Sequence, residues 1–142
     1  MNDDAIFQPM LAMMLLTALV WVLLYARRIP AMQAARRPVQ KYTTPEKAIE
    51  LLPEAVNYPA YNLKNLFELP VLFYALCLML HVTGNVDSVY LAAAWGFVAF
   101  RALHSLIHCT INRVMARFVC YLISSLLLWL MLARATIGIF GH

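Results

Sequence analysis

An uncharged apolar segment near the start of the chain constrains the fold more than any other feature. Twenty-two consecutive residues, 5–26, carry no charged side chain. A helix needs about 20 such residues to cross the roughly 30 Å hydrocarbon core of a bilayer. Asp3 and Asp4 precede the segment and Arg27 and Arg28 follow it, whereas a secretory signal peptide begins with basic residues. We therefore predict a retained transmembrane helix over about residues 5–26.

Three further apolar segments follow, at about 63–82, 89–108 and 117–139. The chain is 63% hydrophobic and 13% charged, compared with about half apolar and a quarter charged in soluble domains. A soluble domain of 142 residues cannot bury such an excess of apolar side chains. The sequence therefore predicts an all-α, integral membrane four-helix bundle that forms a single domain over residues 1–142.

The basic residues indicate how the predicted helices are oriented. Six lie in the predicted loop 27–61, and Arg113 and Arg117 follow the third helix, whereas the opposite side holds Asp87 and two N-terminal aspartates. The positive-inside rule places the basic connections in the cytoplasm, so both termini lie on the non-cytoplasmic side, of the inner membrane if the chain is bacterial. A basic membrane face also accounts for the net charge of +4 without a nucleic-acid partner.

One short helix is predicted inside the long loop. Thr44 is a typical N-cap, and Pro45 is suited to the first helical position. Pro53 should end the helix, and one of its sides is apolar, formed by Ala48, Leu51 and Leu52.

Polar residues in the second and third predicted helices are the candidates for function, because ionisable groups are costly in a bilayer. Tyr61, Asn65 and Glu68 follow a spacing of four and three residues, which places them with Leu72 on one stripe of a helix.

Arg101, His104 and His108 form a second stripe, on the third helix. With the orientation above, both stripes approach the cytoplasmic side, where Glu68 and Arg101 are expected to pair.

Three interpretations of these polar residues remain open at the level of sequence. The first is a structural ion pair of Glu68 with Arg101, in which Asn65 and His104 satisfy backbone groups or each other. The second is a metal site of His104 and His108 with Glu68 as third ligand, although neither histidine lies in an HExxH frame. The third is an anion pocket at the membrane face, formed by Arg101, Lys64, Arg113 and Arg117.

The motifs resemble those of the MAPEG superfamily, the membrane-associated proteins in eicosanoid and glutathione metabolism. The resemblance rests on four predicted spans, on Asn65-x-x-Glu68-x-Pro70, and on Arg101-x-x-His104-x-x-x-His108. It implies a homotrimer that binds glutathione between neighbouring subunits near the cytoplasmic face. It also implies that a lipophilic electrophile, dissolved in the bilayer, is conjugated or reduced. A non-catalytic member that binds a lipid or has a structural role is the alternative.

The resemblance also implies roles for individual residues. Asn65 and Glu68 match residues that contact glutathione, Arg101 and His104 match the third-helix motif, and His108 stands where tyrosine is usual. An arginine nine residues later activates the thiol in the family, which corresponds to Arg117.

Four more residues complete the expected site. Arg113 is the nearby alternative to Arg117, and Arg28 or its neighbour Arg27 corresponds to the family's basic residue at the end of the first helix. Tyr61 stands where glutathione enzymes of the family usually have arginine, and Lys64 is the nearest cation.

Overall fold

The computed structural model describes residues 3–141, and all regular structure in this range is helical. Two 3-10 helices, Asp3–Ile6 and Val39–Tyr42, accompany six α-helices. The α-helices are α1 (Phe7–Ala34), α2 (Pro45–Leu51), α3 (Glu54–Leu66), α4 (Leu69–Val82), α5 (Ser88–Cys109) and α6 (Val114–Phe140). Four segments are long and apolar enough to cross a membrane: Asp3–Ala34, Glu54–Val82, Ser88–Cys109 and Val114–Phe140. The predicted all-α four-helix architecture is confirmed.

The four long segments run up and down, which gives the bundle two ends. The basic end consists of residues 35–53 and 110–113, and the acidic end consists of residues 3–6, 83–87 and 141. At the acidic end the Phe7 ring lies 4.4 Å from the His81 ring. At the basic end Arg27 of α1 donates a hydrogen bond of 2.7 Å to the carbonyl oxygen of Cys109 at the end of α5.

Helix α1 is longer than the sequence indicated, because it continues past Arg27 and Arg28 to Ala34. Paired arginines stop membrane insertion, but arginine is a good helix former, so the helix itself does not end there. The predicted loop 27–61 is therefore too long. Outside the spans, the basic end between α1 and α3 comprises only residues 35–53.

The short helix in this connection forms as predicted. Pro45 is its first residue, and the Thr44 hydroxyl accepts a hydrogen bond of 3.3 Å from the backbone N–H of Lys47. The helix ends before Pro53 and buries Ala48, with Leu52 just after it.

The second span is broken between α3 and α4, where Phe67 and Glu68 leave the helical conformation. Glu68 has a ψ of −104°, and α4 has Pro70 in its first turn. Pro70 has no N–H to donate to the carbonyl of Leu66 four residues earlier, and its ring would clash with that carbonyl in a continuous helix, so the break is encoded locally. Glu68 is exposed as a result. The continuous polar stripe predicted from Tyr61 to Leu72 is therefore wrong beyond Asn65.

Helices α5 and α6 form a tight antiparallel pair that carries much of the site described below. A Cβ atom on Gly96 would lie 2.9 Å from Leu127 Cδ1, so the missing side chain leaves room for the Leu127 side chain between the two helices. Across the bundle, Phe73 of α4 stacks on Phe97 of α5 with ring centroids 4.5 Å apart.

Candidate functional site

The predicted site residues converge on a cavity of about 470 Å³ at the basic end, which we call the basic-end cavity. Helices α3, α5 and α6 form its walls. It brings together six of the ten residues predicted from sequence, and its lining comprises Tyr61, Lys64, Asn65, His104, His108, Val114, Arg117, Phe118 and Tyr121.

His104 connects the three walls of the basic-end cavity through both of its ring nitrogens. Nδ1 lies 2.8 Å from the carbonyl oxygen of Arg117, and Nε2 lies 3.5 Å from Nδ2 of Asn65. A carbonyl oxygen only accepts, so Nδ1 carries the hydrogen and Nε2 accepts from the Asn65 amide. This arrangement fixes the orientation of Asn65, which makes His104 a positioning residue.

His108 is the polar group in the cavity that most needs a partner. It is only 3% exposed, yet both ring nitrogens lack a hydrogen-bond partner among residues 3–141. Its neighbours are rings: Tyr61 stacks on it at 6.5 Å, and His104 meets it edge-on at 5.4 Å. Buried polar atoms are normally hydrogen-bonded, so His108 is suited to a ligand atom that enters the cavity.

Arg117 is held at the start of α6 by the preceding turn. Its Nη1 donates a hydrogen bond to the side-chain oxygen of Asn112. Asn112 has a φ of +46°, the left-handed conformation that asparagine tolerates better than most residues. One guanidinium nitrogen thus fixes the side chain, while the other N–H groups remain available to an anion in the cavity.

Arg101 does not form the ion pair predicted with Glu68. Its side chain is fully buried, and all three guanidinium nitrogens lack a hydrogen-bond partner among the described residues. The break before α4 turns Glu68 to the surface, which explains why the pair does not form within this chain. The guanidinium instead lies between two rings, 5.4 Å from the centre of Phe97 and 4.5 Å from that of Tyr121, as in cation–π contacts.

Four predicted site residues lie outside the basic-end cavity: Arg28, Glu68, Arg101 and Arg113. Arg113 is the exposed N-cap residue of α6, and Arg28 lies on α1.

Among residues 3–141 no group of three or more His, Cys, Asp or Glu side chains could hold a metal ion.

Two features of the site were missed by the sequence analysis. Tyr121 lines the cavity and also contacts Arg101, and its position one turn after Arg117 could have revealed it. Behind the cavity, the buried Asn62 accepts from the Ser105 hydroxyl at 3.3 Å and donates to Cys109 Sγ at 3.6 Å. These bonds fix α3 against α5, so that Asn65 faces His104.

Comparison with known proteins identifies the family. No curated protein and no solved structure matches the chain. The sequence model of the MAPEG family matches residues 6–137, nearly the whole chain. With its four membrane-spanning helical segments, the chain is therefore an integral membrane protein that belongs to the MAPEG family.

Proposed function

We propose that the protein is a membrane-embedded, glutathione transferase-like enzyme that conjugates or reduces lipophilic electrophiles. Glutathione binds in the basic-end cavity, which a neighbouring protomer of a homotrimer closes. The observation that carries the proposal is the convergence of Asn65, His108 and Arg117 on one cavity, although they come from three helices. The two lining cations, Lys64 and Arg117, match the negative charge of glutathione.

The chemistry assigned to Arg117 follows from its charge. In conjugation, the sulfur of bound glutathione thiolate forms a bond to the electrophilic carbon and the leaving group departs with its bonding electrons. In reduction of a hydroperoxide, the sulfur takes one oxygen and the alcohol departs, and a second glutathione then releases water as glutathione disulfide forms. A guanidinium beside the sulfur favours the ionised thiol, because an opposite charge stabilises the anion. Asn112 holds Arg117 in place through Nη1. The thiol proton leaves to water, since the cavity lies at the basic end of the bundle.

Hydrogen bonds from the cavity walls orient the tripeptide in this proposal. Asn65, positioned by His104, contacts its backbone, and His108 contributes the ring nitrogens that have no partner among the described residues. Glu68 lies outside the cavity lining, and in this proposal it accepts from the ligand's ammonium group where the ligand extends beyond the cavity. Its exposure at the level of a membrane span supports assembly, because a carboxylate facing lipid is costly until another surface covers it.

The basic end faces the cytoplasm in this proposal, and both termini lie on the other side of the membrane. Positive charge supports this orientation, since Arg36, Arg37, Lys41 and Lys47 all lie between α1 and α3. Water-soluble glutathione then reaches the cavity from the cytoplasm, while the electrophile arrives through the bilayer.

Thiolate absorbance on adding millimolar glutathione to the purified protein tests the proposal. We expect a stoichiometric signal in the wild type and its loss in Arg117→Gln. Arg113→Gln is the matched control, since Arg113 lies one turn earlier, is exposed and is outside the cavity. Absence of any thiolate signal in the wild type, with no protection by glutathione against heat, contradicts the proposal.

A non-catalytic, lipid-binding role is the second candidate, and two observations favour it. No lining residue of the basic-end cavity is acidic, and Tyr61 stands where the family's glutathione enzymes usually have arginine. A lipid with an anionic headgroup needs no acidic partner. This role predicts a lipid that co-purifies with the wild type, together with the absence of a thiolate signal on adding glutathione.

A further inference from the structure

A charged pair at the acidic end, far from the basic-end cavity, has no part in the proposed reaction. Arg134 of α6 donates two hydrogen bonds to the Asp87 carboxylate, one of them 2.8 Å long from Nη1 to Oδ1. The two side chains are 44% and 42% exposed. Arg134 also lies over the Tyr90 ring, 4.3 Å from its centre.

Asp87 is held rigidly because it also caps α5. Its Oδ1 accepts hydrogen bonds of 3.0 Å from the backbone N–H groups of Val89 and Tyr90. The bonds to Arg134 and to the helix start lower the pKa of Asp87 to about 2. The carboxylate therefore stays ionised at neutral pH and keeps a fixed position beside the guanidinium.

Two hollows meet at this pair. The first hollow, about 330 Å³, includes the polar residues Thr83, Asn85 and Asp87 beside an apolar wall. The apolar hollow, about 520 Å³, lies between α5 and α6 and is lined by residues such as Ala92, Ala93, Leu127 and Leu130. Tyr90 and Arg134 line both hollows, so a molecule with a charged head and an apolar tail can occupy the two together.

The depth of Arg134 fits the boundary between headgroups and hydrocarbon. It lies six residues before Phe140, the last residue of α6, which corresponds to roughly 9 Å along the helix axis. Arginines near the ends of membrane helices place their charged groups at this interface. The apolar hollow then extends from the interface toward the membrane centre.

We propose that the Asp87–Arg134 pair and the two hollows bind one zwitterionic phospholipid. Two of the five N–H donors of Arg134 bind Asp87, which leaves three for the lipid phosphate. Asp87 Oδ2 receives one of these bonds, so its remaining lone pair accepts a hydrogen bond from an ethanolamine ammonium or attracts the quaternary ammonium of choline by charge alone. One acyl chain fills the apolar hollow. The Asp87–Arg134 pair is neutral overall. An anionic headgroup has no ammonium group of its own, so its phosphate is repelled by the Asp87 carboxylate with no compensating contact.

Native mass spectrometry of the detergent-solubilised, delipidated full chain tests the site. The probe is an equimolar mixture of dioleoyl phosphatidylethanolamine, phosphatidylcholine and phosphatidylglycerol. We expect one retained lipid per protomer, with each zwitterionic lipid preferred over phosphatidylglycerol roughly threefold to fivefold, the ratio that one half-exposed charge contact supports. Asp87→Asn keeps an acceptor for the α5 cap and leaves Arg134 unopposed, so the preference should reverse.

A second variant tests the apolar hollow separately. Ala92→Phe fills the hollow from an exposed position, and it should abolish retention of the lipid. Ala99→Phe is the matched control, because Ala99 is exposed on the same helix and lies outside both hollows.

Three outcomes overturn the proposal. An unchanged headgroup preference in Asp87→Asn shows that the Asp87–Arg134 pair does not determine which headgroup is bound. Equal retention in Ala92→Phe and Ala99→Phe shows that no chain occupies the apolar hollow. A changed oligomeric mass in Ala92→Phe, with lipid retention intact, shows that the hollow is an interface between protomers.

Discussion

Arg27 is expected to contribute strongly to stability, because it joins α1 to the end of α5 and to the start of α3. Its Nη1 donates to the Cys109 carbonyl at 2.7 Å and to the Ala55 carbonyl at 3.4 Å. A hydrogen bond from a charged donor contributes about 1.5 to 3 kcal/mol, and a cation at a helix C-terminus adds up to about 1 kcal/mol. Arg27 is only half-buried, so solvent screening reduces the total, and we expect Arg27→Met to cost about 2 kcal/mol.

Thermal unfolding in detergent, without glutathione, measures this effect. A loss of about 2 kcal/mol corresponds to a fall in Tm of roughly 6 °C for a chain of this length. Arg28→Met is the control, since the buried Nε of Arg28 has no hydrogen-bond partner among residues 3–141. Equal shifts in the two variants would refute the reasoning, because the effect would then belong to any arginine at this end of α1.

Three further predictions concern other parts of the protein. His108→Phe should weaken glutathione binding about tenfold, measured by titration, while the Tm stays equal or rises because buried atoms without a partner are removed. Asn62→Leu should lower stability by about 1 to 3 kcal/mol, more than Ser105→Ala, since it breaks two buried hydrogen bonds. The lowered pKa of Asp87 stabilises the fold above about pH 4, and this stability should be lost as the pH falls toward 2. Asp87→Asn should remove that acid transition, as followed by circular dichroism.

The four spans and α2 could be predicted because their signals are local. The length and apolar composition of a segment are enough to predict a membrane span, and the cap at Thr44 involves only residues of the same turn. The end of α1 could not be predicted in the same way. Charge marks where the chain leaves the membrane, while the helix continues to Ala34.

The site was predicted only in part, because a stripe of polar residues assumes an unbroken helix. Pro70 was visible in the sequence, yet its effect on Glu68 depends on backbone geometry that spacing does not reveal. The predicted partner of Arg101 was also wrong, since its guanidinium lies between the rings of Phe97 on α5 and Tyr121 on α6. Asn62 lies off the predicted stripe, and its role depends on contacts with α5.

The connection between α5 and α6 has a consequence for how the protein can vary. It is only four residues long, 110–113. Asn112 accepts a hydrogen bond from the Arg117 side chain, and His104 donates one to the Arg117 carbonyl oxygen. One residue inserted into the first turn of α6, before Arg117, would rotate the preceding turn by about 100° relative to the rest of the helix, so Arg117 could no longer keep its contacts with both Asn112 and the cavity. Insertions should therefore be tolerated between α1 and α3 and excluded here, so the length of this turn is itself a determinant of the site.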